Sequence, residues 1–461
     1  MFKTDLFKNS RQLVLIIFGL IYILSAFIYN IFFLPLTAFF IVIILIQSFP
    51  VANKSNRNIS LVLLIIGSAM LLYFNADLEH WVSALGSNTG LVALFISLPF
   101  LSFPLKYENY QSSLEKFSLK YIKNTVTLAN FSALLTFFLA SLLNLGAMQV
   151  VYNLLYQKKA SLDYERILFR SMLRGNLAAL FWSPNYVAVA VIIHSLDIPW
   201  ISIVPLGLSI SILILLSNWL LTTITTMKKE NDLVSELEKA VLLDLTSQDK
   251  KNLWKLVGIF SLLISFVLLL NIFTDLNILV IVPIVAIIYP LGLAIVQGKM
   301  AIYQNELKNY YQVGLLDKKD EIIIFAAAGF FGKALEITGI GKLIPTLLHL
   351  NTITIPFLAI LLIICIIVLL AVLGVHPVIT CATFATTVSA QTLGLTVEGY
   401  AMVLLASFGL AVMTSPFSGT ALVMSGICKY SPWQMGPLLN SRYALGMGII
   451  LALFIPFIGG I

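Results

Sequence analysis

Two serine–proline pairs carry the clearest chemical potential: Ser183-Pro184, preceded by Ala179-Leu-Phe-Trp, and Ser415-Pro416, preceded by Ala411-Val-Met-Thr. Both lie deep in apolar sequence, where a helix is expected. A proline there lacks an N–H and clashes with the carbonyl four residues back, so the helix opens. The opened turn presents carbonyl dipoles beside the hydroxyls of Ser183, Thr414, Ser415, Ser418 and Thr420. Neutral oxygens of this kind suit a hard cation such as Na+. A plain proline kink is the alternative. Two kinks at corresponding positions, each preceded by Ser, favour an ion site built from Ser183, Pro184, Thr414, Ser415 and Pro416.

A second constellation is formed by two polar turns inside apolar segments, Asn144-Leu-Gly146 within 125–157 and Gly374-Val-His376-Pro377 within 353–394. Such turns bring helix N-termini into the apolar layer, and these ends attract anions. With the breaks, they nominate Asn144, Gly146, Asn185, His376, Pro377, Thr380, Ser418 and Thr420 as contacts for a small solute. His376 is the only ionisable residue in either segment, and an imidazole there either meets an anion or is simply hydrogen-bonded. No Asp or Glu occurs in 125–157, 172–194, 353–397 or 399–427. Proton relays usually need buried carboxylates, so Na+ is the expected coupling ion. Nothing points to catalysis or to another cofactor. There is no HExxH or GxSxG, the four histidines (80, 194, 349, 376) are scattered, and Cys365, Cys381 and Cys428 lack metal-ligand spacing.

These residues need elements that hold them, and composition says which. Of 461 residues 59% are hydrophobic and 11% charged, against roughly a quarter charged in soluble domains. The chain therefore reads as an all-α polytopic membrane protein. About 11 spans are expected near 12–30, 31–49, 59–76, 88–106, 167–194, 200–226, 254–273, 277–297, 321–336, 399–427 and 436–459. The basic run before the first span resembles a leader, but the apolar stretch continues past Phe27 with no small-residue cleavage site. Segment 125–157 is too long for one crossing and too short for two, which need about 40 residues plus a turn. Two half-helices of about ten residues each, forming a re-entrant hairpin, fit better. The same reading extends to 353–394, where two full crossings remain the alternative.

With the N-terminus inside, every Lys and Arg except Lys333 and Lys342 falls in inner loops or at inner helix ends, while Asp77, Glu79, Asp197, Asp275 and Glu398 fall outside. This is the positive-inside pattern of a cytoplasmic (inner) membrane protein, and it accounts for the net charge of +7 without nucleic acid. Arg166, Arg170 and Arg174, on one helix face, read as headgroup anchors. Lys333 and Glu336, three apart, read as markers of a span's outer end, where Lys snorkels, with an intramembrane pair as the alternative.

The halves resemble each other. Ser183-Pro184 precedes Ser415-Pro416 by 232 residues, Trp200 precedes Trp433 by 233, Leu143-Asn144 precedes Val375-His376 by 232, and Phe100–Leu105 precedes Phe330–Leu335 by 230. The expected organisation is a first helix at 1–30, a first repeat at 31–226, an amphipathic cytoplasmic linker at 227–253 and a second repeat at 254–461. Each repeat holds three spans, a hairpin and two spans. Five crossings per copy invert the second copy, and inverted repeats with interrupted helices are the architecture of secondary transporters.

This order of parts from residue 31 to 461, the Ser-Pro breaks and the segment Phe331-Gly-Lys-Ala-Leu-Glu-Ile-Thr-Gly339 resemble the ion transporter superfamily. That group includes divalent anion:sodium symporters, arsenite and citrate carriers and the TRAP membrane subunit. The resemblance implies an elevator mechanism, a homodimer formed by the scaffold, and sites at hairpin tips and unwound helices. Divalent anion symporters carry Ser-Asn-Thr at both tips. Here the tips read Asn-Leu-Gly and Val-His-Pro, and the one Ser87-Asn88-Thr89 lies at the start of the fourth span. Uptake of a small organic anion is the leading expectation, with a cation/proton or oxyanion exporter and a TRAP-type subunit as alternatives.

Overall fold

The structure, a computed structural model, describes residues 2–28, 32–108, 110–122, 124–144, 146–155, 162–226, 246–274, 276–340, 355–427 and 430–460. Among them the chain is helical, with one isolated bridge between Leu395 and Gly460. The first part comprises α1 (Phe2–Ser25), α2 (Phe33–Ser48), α3 (Lys54–Tyr73), α4 (Leu78–Gly86), α5 (Thr89–Ser97) and α6 (Tyr110–Tyr121). Next come α7 (Thr125–Leu143), α8 (Gly146–Leu155), α9 (Leu162–Leu180), α10 (Val187–Leu196) and α11 (Trp200–Thr226). The second half has α12 (Ser247–Phe273), α13 (Ile278–Val296), α14 (Met300–Asn309), α15 (Leu315–Asp317) and α16 (Lys319–Thr338). It ends with α17 (Pro356–Val372), α18 (Pro377–Thr387), α19 (Val397–Thr414), α20 (Gly419–Ile427) and α21 (Leu439–Gly459).

Among the described residues eight helical stretches are long and apolar enough to cross a membrane by length and composition, fewer than the eleven expected spans. The physical reasons are local. Of the three expected spans not among the eight, that at 12–30 has a short apolar helix, Asn9–Ser25, and that at 167–194 is two helices divided at Ser183-Pro184. In the span expected at 321–336, α16 carries Lys319, Asp320, Glu321, Lys333 and Glu336. Leu78–Lys106 and Val397–Ala421 are among the eight despite their breaks: α5 passes into a 3-10 helix over Leu98–Lys106, with Pro99 and Pro104, and Ser415-Pro416 divides the other. Most of the proposed linker, 227–245, lies outside the described residues.

The hairpins also depart from the equal half-helices expected. Their leading limbs, α7 and α17, have 19 and 17 residues, and the returning limbs, α8 and α18, have 10 and 11. At 1.5 Å per residue the leading limbs are about 25–28 Å long. Asn124 and Thr127 start α7 with a reciprocal capping box. The turns require positive φ at Asn144 (50°) and Gly374 (100°), where glycine is strain-free. These two residues stand 230 apart, so the hairpins correspond at that offset, with Asn144 opposite Gly374 and not His376.

Both halves repeat one packing pattern. Helix α7 packs on α9 and α11, as α17 packs on α19 and α21. The broken helices also make reciprocal contacts across the halves: α8 packs on α20, and α10 on α18. Reciprocal contact of this kind is the signature of a two-fold relation. Around this assembly α13 packs on α5, α3 on α16 and α6 on α12. Lys116 meets Asp249 at 2.9 Å and Lys255 meets Glu108 at 2.7 Å, fixing α6 to α12.

Candidate functional site

The two breaks are held open by one device used twice. Ser183 Oγ donates to the carbonyl of Ser141, in the last turn of α7, at 2.9 Å, and accepts the Asn185 N–H at 3.3 Å. Ser415 Oγ donates to the carbonyl of Ala371, in the last turn of α17, at 2.6 Å, and accepts the Phe417 N–H at 3.2 Å. Both serines are buried. Each hydroxyl therefore supplies a donor to a carbonyl in the last turn of a hairpin limb and an acceptor to the opened backbone. The sequence reading that grouped Ser183 and Ser415 with the hairpins thus has a direct geometric counterpart.

A glycine on the following span completes each break. A Cβ at Gly207 would press into the Phe181 carbonyl, and one at Gly436, in a π turn before α21, into the carbonyls of Thr414 and Ser415. Only glycine lets those helices approach the opened backbone so closely. Beyond this the copies diverge. Trp200 is buried and its Nε1 donates to the freed Trp182 carbonyl at 2.8 Å, whereas its counterpart Trp433 is 55% exposed.

A cavity of about 20 Å³ lies at the first break, between Ser141, Ser183, Pro184 and Asn185 on one side and Phe260, Leu263, Val267, Val282 and Val285 of α12 and α13 on the other. It accommodates a body the size of one water molecule. Asn144 leans over the same break, its Nδ2 donating to the Asn185 carbonyl at 3.4 Å, and Gly146 opens α8 beside it. A second cavity of about 10 Å³ lies between Asn176 of α9, Gly409 and Met413 of α19 and Thr420 of α20. The Thr420 hydroxyl is buried and lacks a partner among the described residues. Thr414 Oγ1 instead bonds the Leu410 carbonyl at 2.8 Å within its own helix. Ser418 caps α20, accepting the Ala421 N–H at 3.1 Å.

At the second hairpin tip, His376 Nδ1 accepts the Val378 N–H at 3.3 Å, so the side chain caps α18, with Pro377 at its first position. A neutral ring in this pose carries its proton on Nε2. The ring packs edge-on against Phe325, with centroids 5.8 Å apart. Thr380 Oγ1 turns back to the Pro377 carbonyl at 2.9 Å. The Asn88 amide donates to the Phe325 carbonyl at 2.8 Å, so the Ser-Asn-Thr segment, read as remote from both tips, is one residue away from His376. The residues nominated from sequence thus fall in two groups. Ser183, Pro184, Asn185, Asn144 and Gly146 gather at the first break; His376, Pro377, Thr380, Ser415, Pro416 and Ser418 lie around the second.

Sequence reasoning missed a polar cluster on the flank of α9. Arg174, 8% exposed, donates to Asn218 Oδ1 at 3.0 Å and lies 4.2 Å from the centroid of the Tyr443 ring. It faces the protein interior, not lipid headgroups as expected. Asn218 also accepts from Ser171 and donates to the Ala129 carbonyl. An asparagine alone in the apolar run of α11 was the available signal. Lys333 and Glu336 do pair, at 2.7 Å.

Fold and composition together define an all-α, polytopic membrane protein. No protein-family model matches the sequence, and no curated protein matches it. Among solved structures, the chain is similar to that of the Alcanivorax borkumensis YdaH transporter, with 14% sequence identity and a TM-score of 0.44 over 87% of this chain and 97% of that one.

Proposed function

We propose that this protein is a secondary active transporter, resembling the ion transporter superfamily, that couples Na+ to uptake of a small, carboxylate-type organic anion. The observation that carries the reading is the duplicated break. Two opened helices, each clasped through a buried serine to the end of a hairpin limb, pack reciprocally across the halves. Irregular backbone inside a membrane protein is tolerated where it is buried or lines a cavity, and transporters place ligands there. The serines, Thr414 and the opened carbonyls supply neutral oxygens for the ion. Asn144, Asn185 and the capped end of α18 supply donors for the anion.

An elevator motion fits the wall that faces the first break. Phe260, Leu263, Val267, Val282 and Val285 offer only apolar surface, so sliding past it breaks no hydrogen bonds. In this reading the protein is a homodimer in the bacterial cytoplasmic membrane, N-terminus inside and C-terminus outside.

The test is uptake into proteoliposomes. An inward Na+ gradient is expected to drive accumulation of a mono- or dicarboxylate, and Ser183→Ala and Ser415→Ala to abolish the Na+ dependence. No response of any carboxylate to the gradient refutes the reading. Proton flux on cation addition favours an exporter, and uptake only with an added binding protein favours a TRAP-type subunit.

A further inference from the structure

Arg11 lies where the apolar stretch of α1 begins, on the inward face that also carries the buried Leu15 and Phe18. It is 6% exposed, and its Nε and Nη2 are buried with no acceptor among the described residues. None of the ion pairs found among those residues includes it. The neighbouring Gln12 donates through Nε2 to the Tyr311 carbonyl, in the π turn Tyr310–Gly314, and α1 packs on the α15 turn that follows. Arg11 is thereby held against the 310–317 segment.

The contrast with Arg174 is informative. That guanidinium is as deeply buried, yet it has Asn218 and the Tyr443 ring. Arg11 has no such provision, and a lone buried guanidinium is costly unless an anion compensates it. The two unpaired nitrogens are also the pair on one edge of the guanidinium, a side-on fork that matches two oxygens of a phosphate. Beside it, Tyr311 is 40% and Val313 60% exposed, surface suited to acyl chains at an interface.

We propose that Arg11 is the core of a site for the phosphodiester of an anionic phospholipid, seated between α1 and residues 310–317. Basic pockets between membrane helices on the cytoplasmic side bind such headgroups. The proposal does not depend on the transported solute.

The test compares wild type, Arg11→Met and Arg11→Lys, purified in neutral detergent and titrated with phosphatidylglycerol, phosphatidylcholine or inorganic phosphate, with thermal unfolding as the readout. Phosphatidylglycerol is expected to raise the unfolding temperature of wild type well beyond phosphatidylcholine. Arg11→Met, relieved of an unpaired charge, is expected to unfold no earlier than wild type without lipid and to lose the response. Arg11→Lys keeps the charge without the fork, and its half-maximal lipid fraction is expected to rise at least fivefold. Equal responses to the two lipids overturn the proposal, as does a full response to inorganic phosphate alone or an undiminished response in Arg11→Lys or Arg11→Met. Were Arg11→Met not to accumulate, the lysine variant and the lipid comparison on wild type decide.

Discussion

Replacing Ser415 with alanine removes one hydroxyl and leaves one backbone group of the break without a partner. The Phe417 N–H loses its acceptor at 3.2 Å, while the Ala371 carbonyl loses one donor at 2.6 Å and keeps the Gly374 N–H at 3.1 Å. Leaving a buried polar group unsatisfied costs about 1–3 kcal/mol. One stranded N–H, with one bond lost from a carbonyl that keeps another donor, gives an expected loss of about 1–3 kcal/mol for Ser415→Ala. Ser183→Ala, with bonds of 2.9 and 3.3 Å, is expected to fall in the same range. The control is Ser407→Ala. Ser407 is as deeply buried, but its hydroxyl only turns back to the Val403 carbonyl in its own helix, at 2.7 Å. A carbonyl that keeps its helical partner loses little, so less than about 0.5 kcal/mol is expected there. The assay is reversible denaturation in mixed micelles, with thermal unfolding alongside. If Ser415→Ala and Ser407→Ala lose the same stability, the hydroxyl-to-hairpin clasp is not what holds the break.

Other expectations follow from the same contacts. Gly207→Ala drives a methyl into the Phe181 carbonyl and is expected to cost about 1–3 kcal/mol; Gly258→Ala, with open space around its Cβ, is expected to be neutral or slightly stabilising by thermal unfolding. Trp200→Phe strands the Trp182 carbonyl and is expected to cost about 1–3 kcal/mol, whereas Trp433→Phe, at an exposed position, changes unfolding little. His376→Leu removes the cap of α18 at a cost of about 0.5–2 kcal/mol, and His376→Asn, a good capping residue, restores most of it. The hydrogen bond from Lys255 holds the Glu108 carboxyl below the usual carboxylate range. Its contribution is therefore present above the ordinary Glu pKa and lost as pH falls through the lowered value. Lys255→Ala is expected to lower stability at neutral pH and leave it almost unchanged in strong acid, which flattens the acid limb of a stability–pH profile.

The breaks were legible because proline acts locally: whatever packs around it, the helix loses a donor at Pro184 and Pro416. The turns at Asn144 and Gly374 were legible for a similar reason, as polar and glycine residues inside apolar runs. Limb lengths were not, because apolar composition is the same for a short limb and a full span. Nor was the direction of Arg174. Three arginines on one helix face look alike in sequence, and only the partner helix, with Asn218 and Tyr443, decides that this one turns inward. The link from Asn88 through Phe325 to His376 joins residues far apart in the chain, which no local pattern can reveal. The hairpin turns stand 230 apart and the Ser-Pro breaks 232; one of the two residues of difference lies in the second tip, which holds one more residue between its positive-φ turn and its returning helix.

That extra residue is where the two copies become chemically different. In the first hairpin Asn144 itself takes positive φ, and its side chain reaches across to the Asn185 carbonyl. In the second, glycine takes the turn, which leaves His376 to cap α18. The first break is roofed by a buried tryptophan and faces an apolar wall. At the second, Phe417 is 56% exposed and the matching tryptophan has left the carbonyls. Geometry has therefore been kept in both copies, through the serine clasp and the close glycine, while the groups that face a ligand have not. A symmetric fold needs the first property to form at all. Recognition of an unsymmetrical solute needs the second, since two identical half-sites would offer it the same donors twice.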